Sequence, residues 1–283
     1  MKAAGVVLAG GRSSRMGTPK AALDWHGSTL LRRVTGVVQR SVDGPTVVVA
    51  APGQVLPETD PRVETVRDAR EGQGPLQGLA AGLAAVADRA VVAFVCSTDL
   101  PFLHVSFVRR VVRPLLEEGS AVDVALPVVG GYRQPLAAAY RTDLVGTVER
   151  LLAAGLRRPA HLLQECRVQQ LDEAALLAYR DLAELDPDLA SVVNVNDPAE
   201  YATARARPAP EIILECFGVL VGVGGRGARP ARAATLGGAA AAAGLELGPH
   251  VVAAVNGDQI ARDGALPLVA GDTVSFISAD AGG

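Results

Sequence analysis

Residues 8 to 20, Leu-Ala-Gly-Gly-Arg-Ser-Ser-Arg-Met-Gly-Thr-Pro-Lys, place a glycine-rich, cation-bearing loop directly behind an apolar run, Ala3 to Leu8. That is a strand feeding a phosphate-binding turn. Gly10 and Gly11 allow backbone N–H groups to come close to an anion, while Arg12, Arg15 and Lys20 supply charge for a polyphosphate. The loop is not closed by the Gly-Lys-Ser/Thr of a Walker loop, and it lacks the Gly-x-Gly-x-x-Gly spacing of a dinucleotide fold. A nucleoside triphosphate is the guest it predicts. Lysine occurs only at Lys2 and Lys20, with arginine at every other Lys/Arg position. Set against chance placement, a lysine inside this loop points to a site that wants a compact ammonium rather than a planar fork.

At 283 residues the chain has room for two ordinary domains, and its 49% hydrophobic content supports real cores. The low aromatic fraction means those cores are built from Val, Leu and Ala. A net charge of −3 argues against broad adhesion to nucleic acid or membrane, while leaving room for a local cationic pocket. The first apolar run is too short for a signal peptide and no stretch reaches transmembrane length. Cys96, Cys166 and Cys216 are scattered without Cys-x-x-Cys spacing, which predicts a reducing, cytoplasmic setting rather than a disulfide scaffold or zinc site. His26, His104, His161 and His250 have no metal-site spacing either.

Up to residue 204 short Val/Ala/Leu strands alternate with helical segments, the pattern of an α/β fold with a largely parallel sheet. Strands are expected at 3–8, 46–50, 91–96, 122–127 and 136–140, and helices at 29–42, 76–87, 105–118 and 144–154. Ligands of such sheets bind beyond the carboxyl ends of the strands. There stands Asp99, in Ser97-Thr98-Asp99-Leu100-Pro101. It can hold Mg²⁺ against triphosphate oxygens, or it can simply cap the helix that follows. Gly72-Gln73-Gly74-Pro75-Leu76-Gln77-Gly78 offers a backbone edge to a flat base, or is a plain loop-to-helix junction. Val192 to Pro198 reads as a short strand with Asn194 and Asn196 on one face toward a cleft, or as an Asx turn opening the helix from Pro198.

Residues 205–210, Arg-Ala-Arg-Pro-Ala-Pro, form a Pro-punctuated break that reads as a linker. Beyond it, 211–221 is strand-like, 222–229 is turn-rich, 233–243 is an Ala-rich helix, and 251–255 and 273–278 are strands. The Gly222-Val223-Gly224-Gly225-Arg226-Gly227 cluster has no βαβ unit around it and reads as a hairpin turn.

Four motifs occur in one order: Arg15-Met16-Gly17 with Lys20, Gly74-Pro75-Leu76-Gln77-Gly78, Asp99-Leu100-Pro101, and Asn194-Val195-Asn196-Asp197-Pro198. In this order residues 1–204 resemble molybdenum cofactor guanylyltransferase, the MobA family. The resemblance implies a Rossmann-like, GT-A-like nucleotidyltransferase domain that moves GMP from GTP to the phosphate of molybdopterin and releases pyrophosphate with Mg²⁺. By matching motif, Leu8, Gly10, Gly11, Arg15 and Lys20 would hold GTP, Gly74 and Leu76 would line the guanine site, and Asp99 would bind the metal. Asp68 matches a nucleotide-site aspartate of the family, and Asn194 and Asn196 its Asn-x-Asn. Lys20, Arg15 and Asp99 would be catalytic. A cytidylyltransferase on the same cofactor or a sugar-phosphate nucleotidyltransferase is the enzymatic rival, and a non-catalytic carrier or docking protein the rival of another class.

Residues 211–283, with Val255-Asn256-Gly257-Asp258, Ala270-Gly271-Asp272-Thr273-Val274 and Gly282-Gly283, resemble the small α+β, β-grasp (ubiquitin-like) sulfur carriers, among them the small subunit of molybdopterin synthase. That resemblance implies adenylation of the Gly283 carboxylate by an E1-like enzyme, conversion to a thiocarboxylate, and partnership with the large subunit of molybdopterin synthase.

Overall fold

A computed structural model describes residues 2–10, 16–68, 74–257 and 259–278. Gly11, Arg12, Arg15, Gly72, Gln73, Asp258, Gly282 and Gly283, singled out above, lie outside the described residues. In chain order the elements are β1 Ala3–Leu8, α1 Leu30–Ser41, β2 Thr46–Ala50, β3 Val63–Arg67, α2 Pro75–Val86, β4 Val92–Ser97, α3 Val105–Leu116, β5 Val124–Val129, β6 Tyr132–Arg133 and β7 Ala137–Arg141. There follow α4 Val145–Ala153, α5 Pro159–Leu163, β8 Val168–Leu171, α6 Glu173–Leu177, α7 Arg180–Leu185 and α8 Pro198–Arg205. The remainder is β9 Glu211–Cys216, α9 Val221–Gly224, β10 Arg229–Arg232, α10 Leu236–Ala242, β11 Val251–Val255, β12 Gln259–Ala261 and β13 Thr273–Ser278.

The first sheet runs β3-β2-β1-β4-β7-β5-β6, with β8 paired to β5. β3, β2, β1 and β4 are parallel, whereas β7 is antiparallel to both β4 and β5, so the sheet is mixed rather than largely parallel. Every residue of β1 is buried because helices cover both faces, which is why its sequence is an unbroken apolar run. α1 and α3 contribute Leu31, Val34, Phe107 and Val111 to the core on one face. α2 and α4 contribute Leu79, Leu83, Val148 and Leu151 on the other. α1 begins where Thr29 accepts from the Arg32 amide at 3.1 Å, a side-chain cap on an otherwise orphaned donor.

The second sheet runs β10-β9-β13-β11-β12, with β13 parallel to β9 and the other pairs antiparallel. α10 lays Leu236, Ala239 and Ala240 onto a core of its own with Ile212, Leu214, Val274 and Phe276. The strand expected over 211–221 stops at Cys216. Gly218 takes φ +61°, a left-handed conformation that ends the extended run, and the chain winds through α9 before pairing back as β10. The glycine cluster at 222–227 thus lies in the connection between two antiparallel strands. α8 carries through Arg205, the first residue of the expected 205–210 linker.

The two sheets are joined by the turn at 267–272, which seats on α1. Asp272 receives two hydrogen bonds from Arg40, at 2.9 and 2.6 Å, and Arg40 Nη1 also donates to the Pro267 carbonyl at 2.8 Å. Gly36 permits this approach, for a Cβ there would fall 2.5 Å from Pro267 Cγ. Buried Arg33 donates to the carbonyls of Pro101 and Leu268, spanning both units.

His104 sits at the same junction. Its Nδ1 accepts from the Ser106 amide at 3.1 Å and its Nε2 lies 3.0 Å from the Ala270 carbonyl, a pairing that requires the neutral ring with its proton on Nε2. Burial holds its pKa below the ordinary histidine value, with Arg33 pushing the same way, while the Ala270 carbonyl, Asp186 and Asp272 pull it back. The unfolded chain therefore takes up this proton first, and stability contributed by His104 is present above about pH 6.5 and lost as pH falls below it. Asp186, raised chiefly by burial, trends oppositely, its window lying above the unfolded aspartate value near about 3.9. Denaturant titrations from about pH 7.5 to 5.5 should show declining stability, and His104→Asn, which keeps a capping oxygen, should flatten the decline. An identical slope in the variant would contradict the assignment.

Candidate active site

β1 and β4 run side by side in parallel register, Leu8 opposite Ser97, so the loops leaving both strands emerge at one edge of the sheet. The Thr98 amide donates to the Leu8 carbonyl at 3.3 Å and fixes the two exits to each other. From the first loop, Lys20 opens a short 3-10 turn and sends its ammonium across to the second, 2.9 Å from Asp99 Oδ2. The same ammonium donates to Asn196 Oδ1 at 3.0 Å. Ser97 Oγ donates to the other carboxylate oxygen of Asp99. A cation, a carboxylate, an amide and a hydroxyl from three distant segments thus meet at one point.

The third segment is held by backbone and cap. The Val195 amide donates to the Asp99 carbonyl at 3.0 Å, and the Val195 side chain is buried against Trp25, Leu30 and Ala204. Asp197 accepts from the amides of Ala199 and Glu200, both at 2.9 Å, so it caps α8 in an Asx arrangement. Residues 193–197 form no strand, which corrects the expectation of asparagines on one strand face. Burying Val195 and capping with Asp197 turn Asn194 and Asn196 toward the cleft instead.

Leu8, Gly10, Lys20, Asp99, Asn194 and Asn196, all singled out from the sequence, line one cavity of about 360 Å³. Ser97, Gln134 and Leu136 line it too and had drawn no role. Ser97 could have been noticed as the neighbour of Asp99. Gln134 and Leu136 had no local signal, because they arrive through the β5–β6–β7 meander, where the Ser97 amide donates to the Leu136 carbonyl at 3.3 Å.

Asp68, Gly74 and Leu76 are not among the residues lining this cavity. Asp68 follows β3, its amide donating to the Ala50 carbonyl at 2.8 Å. Gly74 precedes α2 at φ +81°, and a Cβ there would stand 3.0 Å from the Arg157 carbonyl. The Leu76 side chain is fully buried in the core under α2, so only its backbone is available to a base. Cys96, one residue before Ser97, is fully buried with its thiol pushed up by desolvation and then by Asp99, which leaves it inert.

Among the described residues no group of three or more His, Cys, Asp or Glu side chains could hold a metal ion. Asp99 is the one carboxylate among the described residues lining the cavity. With the amide oxygens of Asn194 and Asn196 and the Ser97 hydroxyl it makes a hard-oxygen set. Such a set suits Mg²⁺, which keeps waters and takes phosphate oxygens, better than a metal that needs an all-protein cage.

A model of the MobA-like NTP transferase domain matches residues 5–174. The chain belongs to this family. It is accordingly a nucleotidyltransferase. A probable molybdenum cofactor guanylyltransferase of Mycobacterium avium (strain 104) is 39% identical over 211 residues, 73% of this chain and 98% of the relative. One of Mycobacterium ulcerans (strain Agy99) is 40% identical over 188 residues, 64% of this chain and 90% of the relative. Among solved structures, molybdopterin-guanine dinucleotide biosynthesis protein A of Archaeoglobus fulgidus superposes with TM-score 0.55 at 21% identity, covering 71% of this chain and 96% of its own. The 2-C-methyl-D-erythritol 4-phosphate cytidylyltransferase of Thermus thermophilus gives 0.52 at 19%, covering 73% and 98%. At these identities the structures speak for the α/β nucleotidyltransferase fold alone. No helix among the described residues is long and apolar enough to cross a membrane.

The cap on α8 gives a measurable expectation. Asp197→Ala should cost about 1 kcal/mol of stability, and, because Asn196 adjoins the lost cap, should weaken nucleotide binding, while Asp197→Ser should restore most of both. Equal nucleotide affinity in Asp197→Ala and the parent would show that the cap does not position Asn196.

Proposed function

We propose that the chain transfers GMP from GTP to the phosphate of molybdopterin, with release of pyrophosphate. The observation that carries this reading is the convergence of Lys20, Asp99 and Asn196 in one cavity, in a chain 39% identical to a relative named for that reaction. The ionised substrate phosphate forms its bond to the α-phosphorus of GTP in line, and the bond from that phosphorus to the bridging oxygen breaks, the electron pair leaving with pyrophosphate. A phosphate nucleophile has no proton to remove, so positioning and charge neutralisation carry the rate.

Lys20, now held between Asp99 and Asn196, is placed to trade carboxylate for phosphate oxygens as the triphosphate arrives. Asn194 and Asn196 offer amide contacts to the same oxygens, and the backbone at Gly10 permits their approach. Arg15 and Gly11, outside the described residues, belong to the same loop and are assigned to phosphate binding, with Arg15 beside Lys20 in charge neutralisation. Asp99, with the nearby oxygens, would hold Mg²⁺, which when bound neutralises triphosphate charge. Gly74 and the backbone of Leu76 are assigned to the guanine edge and Asp68 to the nucleotide site.

Asp99→Asn keeps side-chain volume and removes the charge, so turnover should fall by about 10²-fold or more at limiting Mg²⁺ with the melting temperature near that of the parent. Lys20→Arg should fail similarly, because the forked guanidinium does not fit a site built for an ammonium. Parent-like rates in Asp99→Asn would refute the metal assignment, and full turnover in Lys20→Arg would refute the point-charge assignment. Faster incorporation of CMP than GMP would make the enzyme a cytidylyltransferase of the same fold.

For residues 211–283 we propose a β-grasp sulfur carrier, a reading supported by the mixed sheet β10-β9-β13-β11-β12 with α10 packed onto its core. The Gly283 carboxylate would attack the α-phosphorus of ATP on an E1-like enzyme, releasing pyrophosphate, and a sulfur donor would then displace AMP to leave a thiocarboxylate. The large subunit of molybdopterin synthase is the partner such a group would serve. Intact mass after incubation with the activating enzyme, ATP and sulfide should rise by the difference between sulfur and oxygen, and should not rise when Gly282 and Gly283 are deleted. No rise in the parent would reduce this unit to a structural or docking module.

A further inference from the structure

A second cavity, of about 330 Å³, lies between the two units and shares no lining residue with the nucleotide cavity. Its walls come from the loop after Asp99, the 207–211 segment and the 269–270 turn. Its size is within the range of small-molecule sites, about 300–1,000 Å³, which favour the junctions between units. Phe102 and Trp25 meet edge to face on its wall, ring centroids 5.4 Å apart at 83°. Arg207 lies over the Phe102 ring, its guanidinium carbon 4.4 Å from the centroid.

The polar groups of the wall divide into committed and uncommitted. Asp186 accepts from the amides of Ala190 and Ser191 at 2.7 and 3.1 Å. Glu211 pairs with Arg232 at 3.5 Å, and both ring nitrogens of His104 are engaged. Arg33 is different. It is 6% exposed, its Nε and Nη1 donate to the Pro101 and Leu268 carbonyls, and its Nη2 has no hydrogen-bond partner among the described residues. Neither Arg33 nor Arg207 is in hydrogen-bond contact with a carboxylate among the described residues. The charge of buried Arg33 is answered only through space, by Asp272, whose carboxylate oxygens are already taken by Arg40; together with the exposed guanidinium of Arg207 beside an aromatic wall it forms a receptor for a flat body bearing negative charge. The positive field shows also at His26 on the same wall, held below the ordinary histidine value by burial and then by Arg205 and Arg33, against Asp24.

We propose that this cavity is a second binding site, for a small flat aromatic carboxylate. The ring lies along Trp25 and Phe102, and the carboxylate takes Arg33 Nη2 and the Arg207 guanidinium. Because Leu268 and Pro101 already share Arg33, the bound acid also bridges the second unit to the loop that carries Asp99. The site stands independently of which nucleotide the first cavity uses.

The test is calorimetric titration of the full chain with quinoline-2-carboxylate, in the presence of saturating GTP, with quinoline-2-carboxamide as the uncharged twin. Trp25 is the chain's one tryptophan, so its emission places the binding event. The proposal expects saturable binding that changes Trp25 emission, is not displaced by GTP, and is at least about tenfold weaker for the amide. Arg207→Gln, at a position that holds no core together, should also weaken the acid about tenfold and guards against misfolding of an Arg33 variant. Absence of binding at millimolar probe, equal affinity for acid and amide, unchanged affinity in Arg207→Gln, or displacement by GTP would each overturn it.

Discussion

The parallel pairing of β1 with β4, Leu8 opposite Ser97, is the constraint on which the rest of the site depends. It brings two loops separated by about eighty residues to one sheet edge, where the Lys20 ammonium reaches the Asp99 carboxylate at 2.9 Å. The pair is partly buried, with side chains 19% and 17% exposed, so it is neither screened like a surface ion pair nor sealed from a ligand. On the proposed function, that intermediate position suits a cation that exchanges a carboxylate for phosphate oxygens. Asn196 completes the point from 176 residues away, and it can do so because Val195 ties its segment to Asp99 by backbone and to Trp25 and Leu30 by packing.

Much of this was legible in the sequence for specific reasons. β1 and β2 read correctly to the residue because strands covered on both faces are dominated by small and β-branched apolar residues, with none exposed. α1 and α3 read well because each has one apolar stripe and a capping side chain at its start. β3 was missed since Glu64, Thr65 and Arg67 give a sheet edge little apolar content. β8, also near an edge with Gln169 and Gln170 exposed, failed for the same reason. The antiparallel β7 reads like any apolar strand, and only its connection through β6 reverses it, which also explains why Gln134 and Leu136 could not be foreseen in the cavity.

The junction of the two units had no sequence signal at all. A proline-punctuated stretch suggested separate bodies, and each sheet does have its own core. Yet the 267–272 turn commits Asp272 to Arg40 and gives its Leu268 carbonyl to Arg33, which also holds Pro101, two residues from Asp99. Val269 packs into the core of the first sheet. Arginines on α1 look like an ordinary solvated helix face until the turn that covers them is known. The second unit is therefore part of the scaffold around the loop that carries Asp99, and its place in the same chain has a physical consequence beyond proximity.

The central claim is that Lys20, Asp99 and the two asparagines form a site for a nucleoside triphosphate with Mg²⁺, selective for guanine. Calorimetric titration of the purified 283-residue chain with GTP, CTP and ATP in parallel, each with and without Mg²⁺, tests it most directly. The account predicts saturable GTP binding that strengthens with Mg²⁺ and exceeds that of the other two nucleotides by at least about tenfold. Equal binding of all three, or GTP binding indifferent to Mg²⁺, would contradict it.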